Sequence, residues 1–194
     1  MLDADDVLGI LDQLDGAGLV VWLDGGWGVD ALLRRHSRPH RDLDLVVARD
    51  GCAVAGAALA AAGFRHDLTA RPGLPARLLL VDAGGRQVDL HPVVFDRHGN
   101  GWQALEAGGW GVYPADGLTG VGIVGGRQVR CVTAELQVRH HLGYPLGAGD
   151  RHDLRLLAER FGVAVPPGVR LQAGGEPSPA PGGPGFEGGG ASRR

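Results

Sequence analysis

Hydrophobic and polar positions change their period several times along the chain, and each change predicts a new element. Apolar residues recur every three to four positions over residues 3–14, which predicts a helix with Asp3 as its N-cap. An unbroken apolar run at 19–23 predicts a short buried strand. Helical spacing returns from Val29, and the alternating stretch 42–47 predicts a strand with two different faces.

The next part of the pattern predicts one helix and three strands. Residues 52–62 are rich in alanine and are expected to form a helix that stops at a glycine. Strands are expected at 64–69, 77–82 and 87–91, with a glycine turn between the last two. Pro92 is expected to end the third of these strands, because proline cannot donate a backbone hydrogen bond.

The last part of the chain is less regular. No period is visible over residues 95–114, which are expected to be irregular, whereas 121–132 reads as strands around a glycine turn. Thr133 and Asp150 are each expected to cap a helix. Residues 166–194 contain proline, glycine and serine with almost no apolar anchors, and are expected to be a disordered tail.

Two acids and two glycines carry the candidate chemistry. Asp42 and Asp44 alternate with apolar residues, so both carboxylates point to one face of their strand. The two carboxylates repel each other, and this repulsion is tolerated if they are solvated or if a divalent cation lies between them. Gly25 and Gly26 permit close backbone approach at a strand-to-helix turn, where free N–H groups can hold a phosphate. Together these features predict nucleotide binding; a solvated acid pair beside an ordinary tight turn is the alternative.

The order of apolar strand, Gly-Gly, helix and Asp-x-Asp resembles the nucleotidyltransferase superfamily of the polymerase beta type. The longer stretch 25–33, followed by Arg38-x-His40-x-Asp42-x-Asp44, is similar to the antibiotic nucleotidyltransferases that adenylylate aminoglycosides and lincosamides. A second similar stretch lies at 131–154. The resemblance therefore covers most of the chain between about residues 20 and 161.

The resemblance implies an α+β fold, with a nucleotidyltransferase-like mixed sheet of about four or five strands flanked by helices and a smaller C-terminal α/β part. It divides the chain into a catalytic domain at 1–95 and an acceptor-binding part at 96–165. It also implies a third acid on a later strand, next to the first pair. Asp89 fits, because it stands between Val88 and Leu90, and Asp82 is the competing candidate.

The reaction implied by the resemblance moves AMP from ATP to a hydroxyl of a small antibiotic-like molecule, an aminoglycoside or a lincosamide, and releases pyrophosphate. Two Mg²⁺ ions would be held by Asp42, Asp44 and Asp89, and Asp89 is also a candidate general base. The nucleotide-binding candidates are the two glycines and two residues before the acid strand: Gly25, Gly26, Arg38 and His40. For Arg38 and His40, the alternative interpretation is that they are charged residues of an exposed loop.

Composition narrows the choice of partners. The net charge is −3, which argues against a nucleic-acid partner, and no apolar run is long enough to span a membrane. All 19 basic residues are arginine, so a P-loop lysine and a Schiff-base lysine are excluded. Cys52 and Cys131 lack metal-ligand spacing, which favours a reduced, cytoplasmic protein with buried thiols. A monomer or a homodimer is expected.

The acceptor is the least defined part of the prediction. Tyr144, Glu106 and Asp116 are weak candidates for acceptor contacts, and the acidic net charge leans toward a cationic acceptor. Asp24 and Asp30 are expected to cap or brace the helix that follows the glycines, and the histidines to be surface or core residues. An alternative function is that of a nucleotidyltransferase-fold antitoxin that modifies or binds a partner protein.

Overall fold

The computed structural model describes residues 1–69, 73–105, 108–142 and 144–166. Within these ranges the chain forms five α-helices and nine β-strands. The helices are α1 (Ala4–Gly16), α2 (Gly25–Leu33), α3 (Cys52–Ala61), α4 (Ala134–His140) and α5 (Ala148–Phe161). The strands are β1 (Val21–Asp24), β2 (Asp42–Ala48), β3 (Arg65–His66), β4 (Leu78–Val81), β5 (Gln87–Phe95), β6 (Gly101–Ala104), β7 (Trp110–Tyr113), β8 (Gly120–Val124) and β9 (Arg127–Cys131).

All nine described strands belong to one mixed sheet. The main order is β3-β4-β5-β2-β1-β9-β8, and β6 and β7 extend the sheet from the far end of β5. The pairs β2–β5 and β1–β9 are parallel, while the other neighbouring strands are antiparallel. This mixed sheet with its flanking helices confirms the expected α+β, nucleotidyltransferase-like fold class, although the sheet is larger than the four or five strands expected.

The two faces of β2 differ as the alternation predicts. Leu43, Leu45 and Val47 are fully buried in the main core, which also contains the apolar sides of α1 and α3. Asp42 and Asp44 point to the opposite face. On β5, Val88 and Leu90 join the same core, so Asp89 and His91 share the face of Asp44. We call this surface of β2 and β5 the acid face.

The helices α2, α4 and α5 form a smaller core of their own. Its buried members come from all three helices: Val29, Ala134, Val138, Leu154 and Leu157. Because α2 starts directly at the end of β1, this packing brings the C-terminal helices α4 and α5 next to the glycine turn. The predicted division at residues 95 and 96 stays a prediction; strands from both sides of it share one sheet.

Pro92 does not end its strand, contrary to the expectation. The strand β5 continues to Phe95, and Pro92 pairs in register with Val47 of β2. On the other edge of β5, pairing with β4 ends at Leu90 and pairing with β6 begins at Val93. Pro92 lies between these two paired stretches. Its lack of an N–H group therefore costs this edge of the sheet no hydrogen bond.

Residues 95–114 were expected to be irregular, yet they contain the hairpin β6–β7. Trp102 pairs with Val112, and the turn before β6 is held by Asp96, whose carboxylate accepts hydrogen bonds from the backbone N–H groups of His98 and Asn100. Each strand is four residues long and contains a glycine. The alternation of apolar and polar residues is therefore too brief to be recognised in the sequence.

Three element boundaries also differ from expectation. The helix α2 begins at Gly25 rather than Val29, because the Asp24 carboxylate caps it by accepting from the Gly25 N–H. The N-cap of α5 is Gly147, and Asp150 lies at its third position. The strand expected at 64–69 is only Arg65–His66.

Some expectations fall on residues outside the described ranges. Glu106 is one of them, and so is the predicted tail beyond Pro166. Among the described residues, no helix is long and apolar enough to cross a membrane. Cys52 and Cys131 are both buried and unpaired, as expected.

Candidate functional site

Two cavities lie against the acid face and share part of their walls. The larger cavity has a volume of about 680 Å³ and the smaller one about 280 Å³. Four residues line both cavities: Asp24, His91, His140 and Tyr144. The smaller cavity is also bordered by the glycine turn, and the larger one by the hairpin β6–β7.

A row of three acids crosses the sheet at the junction of the cavities. Asp24 on β1 is the register partner of Asp44 on β2, which is in turn the partner of Asp89 on β5. The expectation that Asp89 lies beside the first pair and faces the same way agrees with this geometry. Asp42 precedes Asp44 by two residues and lines the smaller cavity.

Asp44, Asp89 and His91 form a candidate cation-binding group. One ligand atom from each lies within 4.8 Å of the others. His91 Nε2 is 3.2 Å from Asp44 Oδ1 and 3.9 Å from Asp89 Oδ2. Two convergent carboxylates supply the hard oxygen ligands that Mg²⁺ prefers. The residues present therefore fit a divalent cation, with Asp44 and Asp89 as its carboxylate ligands.

The pKa values of these groups reflect their crowding. Burial raises the pKa of Asp89, and the Asp44 carboxylate adds to the rise against opposition from His91 and Arg77. Burial and the Asp44 carboxylate likewise raise the pKa of Asp42. Burial alone would lower the pKa of His91, but its hydrogen bond to Asp44 and the nearby carboxylates raise it to about 9. Such crowding is what a bound cation relieves.

The glycine turn is packed too tightly for any side chain. Gly25 has a φ of +55°, and a Cβ atom there would lie 2.2 Å from Asp44 Oδ2. A Cβ atom at Gly26 would lie 2.2 Å from His40 Nδ1. Both glycines occupy the first turn of α2, whose N–H groups lack intrahelical acceptors. The Gly25 N–H donates to Asp24 Oδ1 at 2.9 Å, so the Gly26 N–H is the one of the two that can bind an anion.

Arg38 and His40 support the smaller cavity differently. Arg38 lines the cavity. His40 lies behind the glycine turn: it is 2% exposed, lines neither cavity, and its Nε2 is 2.7 Å from Asp30 Oδ2. Asp30 also accepts from the N–H and hydroxyl of Ser37. Asp30 thus braces the loop that follows α2. The predicted phosphate contact of His40 stays a prediction.

Asp24 and His140 form a second polar pair at the junction. His140 Nδ1 lies 2.9 Å from Asp24 Oδ2, and the Tyr113 hydroxyl donates to the same oxygen at 3.2 Å. Burial opposes ionisation of Asp24, but the His140 hydrogen bond and charge outweigh it and lower its pKa to about 2. Asp24 therefore presents a stable carboxylate that caps α2 and orients the His140 imidazole.

Gln137 on α4 reaches the glycine turn from the C-terminal side. Its Nε2 donates to the Gly25 carbonyl at 3.3 Å, and its Oε1 is buried without a hydrogen-bond partner among the described residues. A Cβ atom at Gly28 would lie 2.3 Å from Gln137 Nε2, so the third glycine of the motif makes room for this side chain.

Several site residues were not expected from the sequence. His91 follows Asp89 by two residues on the same strand, so strand alternation places it on the same face and could have identified it. His140 carries no such signal, because its partner Asp24 is 116 residues away. Of the residues that were weak candidates for acceptor contacts, Tyr144 lines both cavities, whereas Asp116 lines neither of them.

The described walls of the larger cavity are mostly apolar. Its apolar members come from the segment before β4, from β6 and β7 and from the segment after α4: Ala76, Ala104, Leu105, Val112 and Leu142. Arg77 and Arg139 add positive charge. Its two carboxylates, Asp24 and Asp89, are already paired with His140 and Arg77 respectively. The net charge of the chain favoured a cationic acceptor, but the residues that line this cavity do not support that prediction.

Comparison with known proteins points to one family. A sequence model described as aminoglycoside-2''-adenylyltransferase matches residues 6–157. A lincosamide resistance protein from Staphylococcus haemolyticus is 30% identical over 148 residues, which cover 76% of this chain and 89% of that protein.

Solved structures give the same grouping. The lincomycin-bound crystal structure of the lincosamide antibiotic adenylyltransferase LnuA aligns with a TM-score of 0.68 and 29% identity, over 78% of this chain and 93% of that one. ANT(2'')-Ia in complex with adenylyl-2''-tobramycin aligns with a TM-score of 0.63 and 22% identity, over 82% of this chain and 89% of that one. The latter similarity supports the fold alone.

Proposed function

Because the chain belongs to the aminoglycoside-2''-adenylyltransferase family of antibiotic nucleotidyltransferases, we propose that it transfers AMP from ATP to a hydroxyl of a small antibiotic. The observation that carries this proposal is the meeting of two cavities at one group of acids. The smaller cavity, beside the glycine turn, would hold the triphosphate, and the larger one the acceptor. Asp24, His91, His140 and Tyr144 line both.

The proposed reaction forms one bond and breaks one. The acceptor oxygen attacks the α-phosphorus of ATP, the bond to the bridging oxygen breaks, and pyrophosphate leaves. We propose that Asp89 accepts the hydroxyl proton, because its carboxylate lines the larger cavity at the junction. The backbone N–H group of Gly26 would help to hold the phosphates, and the missing side chain at Gly25 would let them approach the backbone closely.

Asp44 and Asp89 would hold a divalent cation, proposed to be Mg²⁺, and Asp42 would assist with a second ion. A bound cation supplies positive charge that offsets the charge developing on the reacting oxygens. His91, hydrogen-bonded to Asp44, would keep that carboxylate oriented. Arg38 would contribute a positive charge to the nucleotide side, where no lysine is available.

We further propose that the acceptor is a lincosamide rather than an aminoglycoside. Aminoglycosides are polycations and favour a lining with unpaired carboxylates. The described lining of the larger cavity combines apolar and neutral polar side chains with two arginines, and its two carboxylates are already paired. The two relatives with about 30% identity are described as acting on or conferring resistance to lincosamides.

The test is a transfer assay with the full chain, ATP labelled on the α-phosphate and Mg²⁺. Lincomycin and tobramycin serve as the two acceptor probes, and mass spectrometry detects the adenylylated product. We expect labelled lincomycin and pyrophosphate, both lost when EDTA removes the cation. Product with tobramycin alone would overturn the choice of acceptor, and no product with a broad antibiotic panel would overturn the proposed reaction.

A further inference from the structure

Arg38 and Asp153 form a two-point ion pair between distant parts of the chain. Arg38 stands on the loop between α2 and β2, and Asp153 lies on α5, 115 residues later. The Arg38 Nε donates to Asp153 Oδ1 at 2.9 Å, and Nη2 donates to Oδ2 at 2.5 Å. Such paired bonds hold the plane of a guanidinium in one orientation.

The pair is buried on one side and open on the other. The Asp153 side chain is 0% exposed, while that of Arg38 is 28% exposed and lines the smaller cavity. A buried carboxylate needs a partner, so Asp153 holds Arg38 strongly. Arg38, by contrast, keeps part of its surface toward the cavity.

Two glycines allow the guanidinium to lie close to the backbone. A Cβ atom at Gly26 would be 2.9 Å from Arg38 Nη2, and one at Gly149 would be 3.3 Å from Arg38 Cζ. The guanidinium is thus seated between the first turns of α2 and α5, next to the backbone N–H groups that border the smaller cavity.

The donors of Arg38 are only partly used. A guanidinium has five N–H groups, and Asp153 occupies two. Among the described residues, the other contact is a long one from Nη1 to the Pro39 carbonyl at 3.4 Å. The Nη1 side therefore has donors that can be offered to an anion in the cavity.

We propose that Asp153 is a positioning residue that holds Arg38 in place for the phosphates of the bound nucleotide. This inference rests on the proposed function, which places the triphosphate in the smaller cavity. It assigns the last helix a role in nucleotide binding, although Asp153 lines neither cavity. A purely structural tie between α5 and the loop would alter stability and leave ATP binding unchanged.

The central experiment replaces Asp153 by Asn in the full chain. Asp153→Asn keeps the shape and leaves Arg38, which reaches solvent, without its fixed partner. We expect the dissociation constant for ATP with Mg²⁺, measured by calorimetry without acceptor, to rise about 10- to 100-fold. In transfer assays the KM for ATP should rise in parallel, while kcat at saturating ATP and the KM for acceptor change little.

Asp82→Asn is the matched control. Asp82 also pairs with an arginine, Arg86, at 2.6 Å, and its side chain is 8% exposed, but it lines neither cavity. This variant should lower stability without changing ATP affinity. A folded Asp153→Asn protein with the wild-type dissociation constant for ATP would overturn the proposal, as would an equal loss of ATP affinity in both variants.

Arg38→Lys decides the matter if Asp153→Asn does not fold. Lysine keeps the charge near Asp153 but lacks the two-point fork, so a loss of ATP affinity similar to that stated above is expected. Wild-type ATP affinity in this variant would overturn the proposal. Failure of the wild-type chain to bind ATP would instead overturn the proposed function, so the two failures are distinguishable.

Discussion

Asp44 on β2 and Asp89 on β5 are register partners in neighbouring parallel strands, and their carboxylates converge with His91. The two acids are far apart in the chain, and the parallel pairing alone brings them side by side. Parallel pairing needs a crossover, which here contains α3, β3 and β4. The same face of the sheet carries Asp24 at the neighbouring position of β1.

Replacing Asp44 by Asn should abolish most of the transfer activity. The change removes a charge from the proposed cation-binding group while keeping the size of the side chain. We expect kcat/KM to fall by at least about 10²- to 10³-fold, the usual cost of losing an electrostatic contact to the transition state. Steady-state transfer assays measure it, and thermal unfolding reports whether the fold is kept.

Asp50→Asn is the control for this prediction. Asp50 is an exposed acid shortly after the same strand and lines neither cavity. Its replacement should leave turnover at the wild-type value. Full activity in a folded Asp44→Asn protein would contradict the assigned role of the acid pair.

Replacing Gly25 by Ala should damage both stability and nucleotide binding. The new Cβ atom would lie 2.2 Å from Asp44 Oδ2, and the φ of +55° is unfavourable for alanine. We expect the free energy of unfolding to fall by roughly 1–3 kcal/mol, as measured by urea denaturation, together with weaker ATP binding. Gly9→Ala on the exposed side of α1, where a Cβ atom meets nothing within 4 Å, should instead gain about 0.5–1 kcal/mol.

Replacing His140 by Ala should slow transfer more than it weakens the fold. The imidazole is bonded to Asp24 and faces both cavities, so it lies where nucleotide and acceptor would meet. Loss of a charge-assisted contact at that point is expected to lower kcat about 10- to 100-fold. The exposed His66 of β3 is the control residue, and His66→Ala should leave kcat unchanged. Equal kcat values for the two variants would contradict a functional role for His140.

Reversing the charge of Arg139 should alter acceptor preference without altering ATP affinity. Arg139 lines the larger cavity and does not line the smaller one. In Arg139→Glu, a new carboxylate favours cationic acceptors, so the KM for tobramycin should improve relative to that for lincomycin. Arg130→Glu changes an exposed arginine outside both cavities and serves as the control. A changed ATP dissociation constant with unchanged acceptor KM values would contradict the assignment of the cavities.

Local patterns in the sequence were enough for the elements that carry the acids. The alternation around Asp42 and Asp44 separates the two faces of β2, because strand geometry repeats every two residues. The same rule places Asp89 opposite the apolar side of β5. The end of the apolar run also places the two glycines at the junction of β1 and α2. These features depend on neighbouring residues, so the sequence contains the information directly.

Short or interrupted elements were not recoverable in this way. The strands β6 and β7 have four residues each and contain glycines, so their alternation is too brief to recognise. Pro92 was expected to end a strand because a proline normally breaks the ladder. Whether it does so depends on which neighbour lies at that edge, and that is a property of the whole sheet.

The sequence alone determined which chemical groups were available: a pair of acids on one strand face, a third acid between apolar residues, a glycine turn and arginine as the only strong base. Only the tertiary structure decided which distant residues meet them. His140 joins Asp24 across 116 residues and Asp153 holds Arg38 across 115. The physical reason is that helix packing sets such contacts, and packing depends on the shapes of surfaces that are formed only when the whole chain has folded.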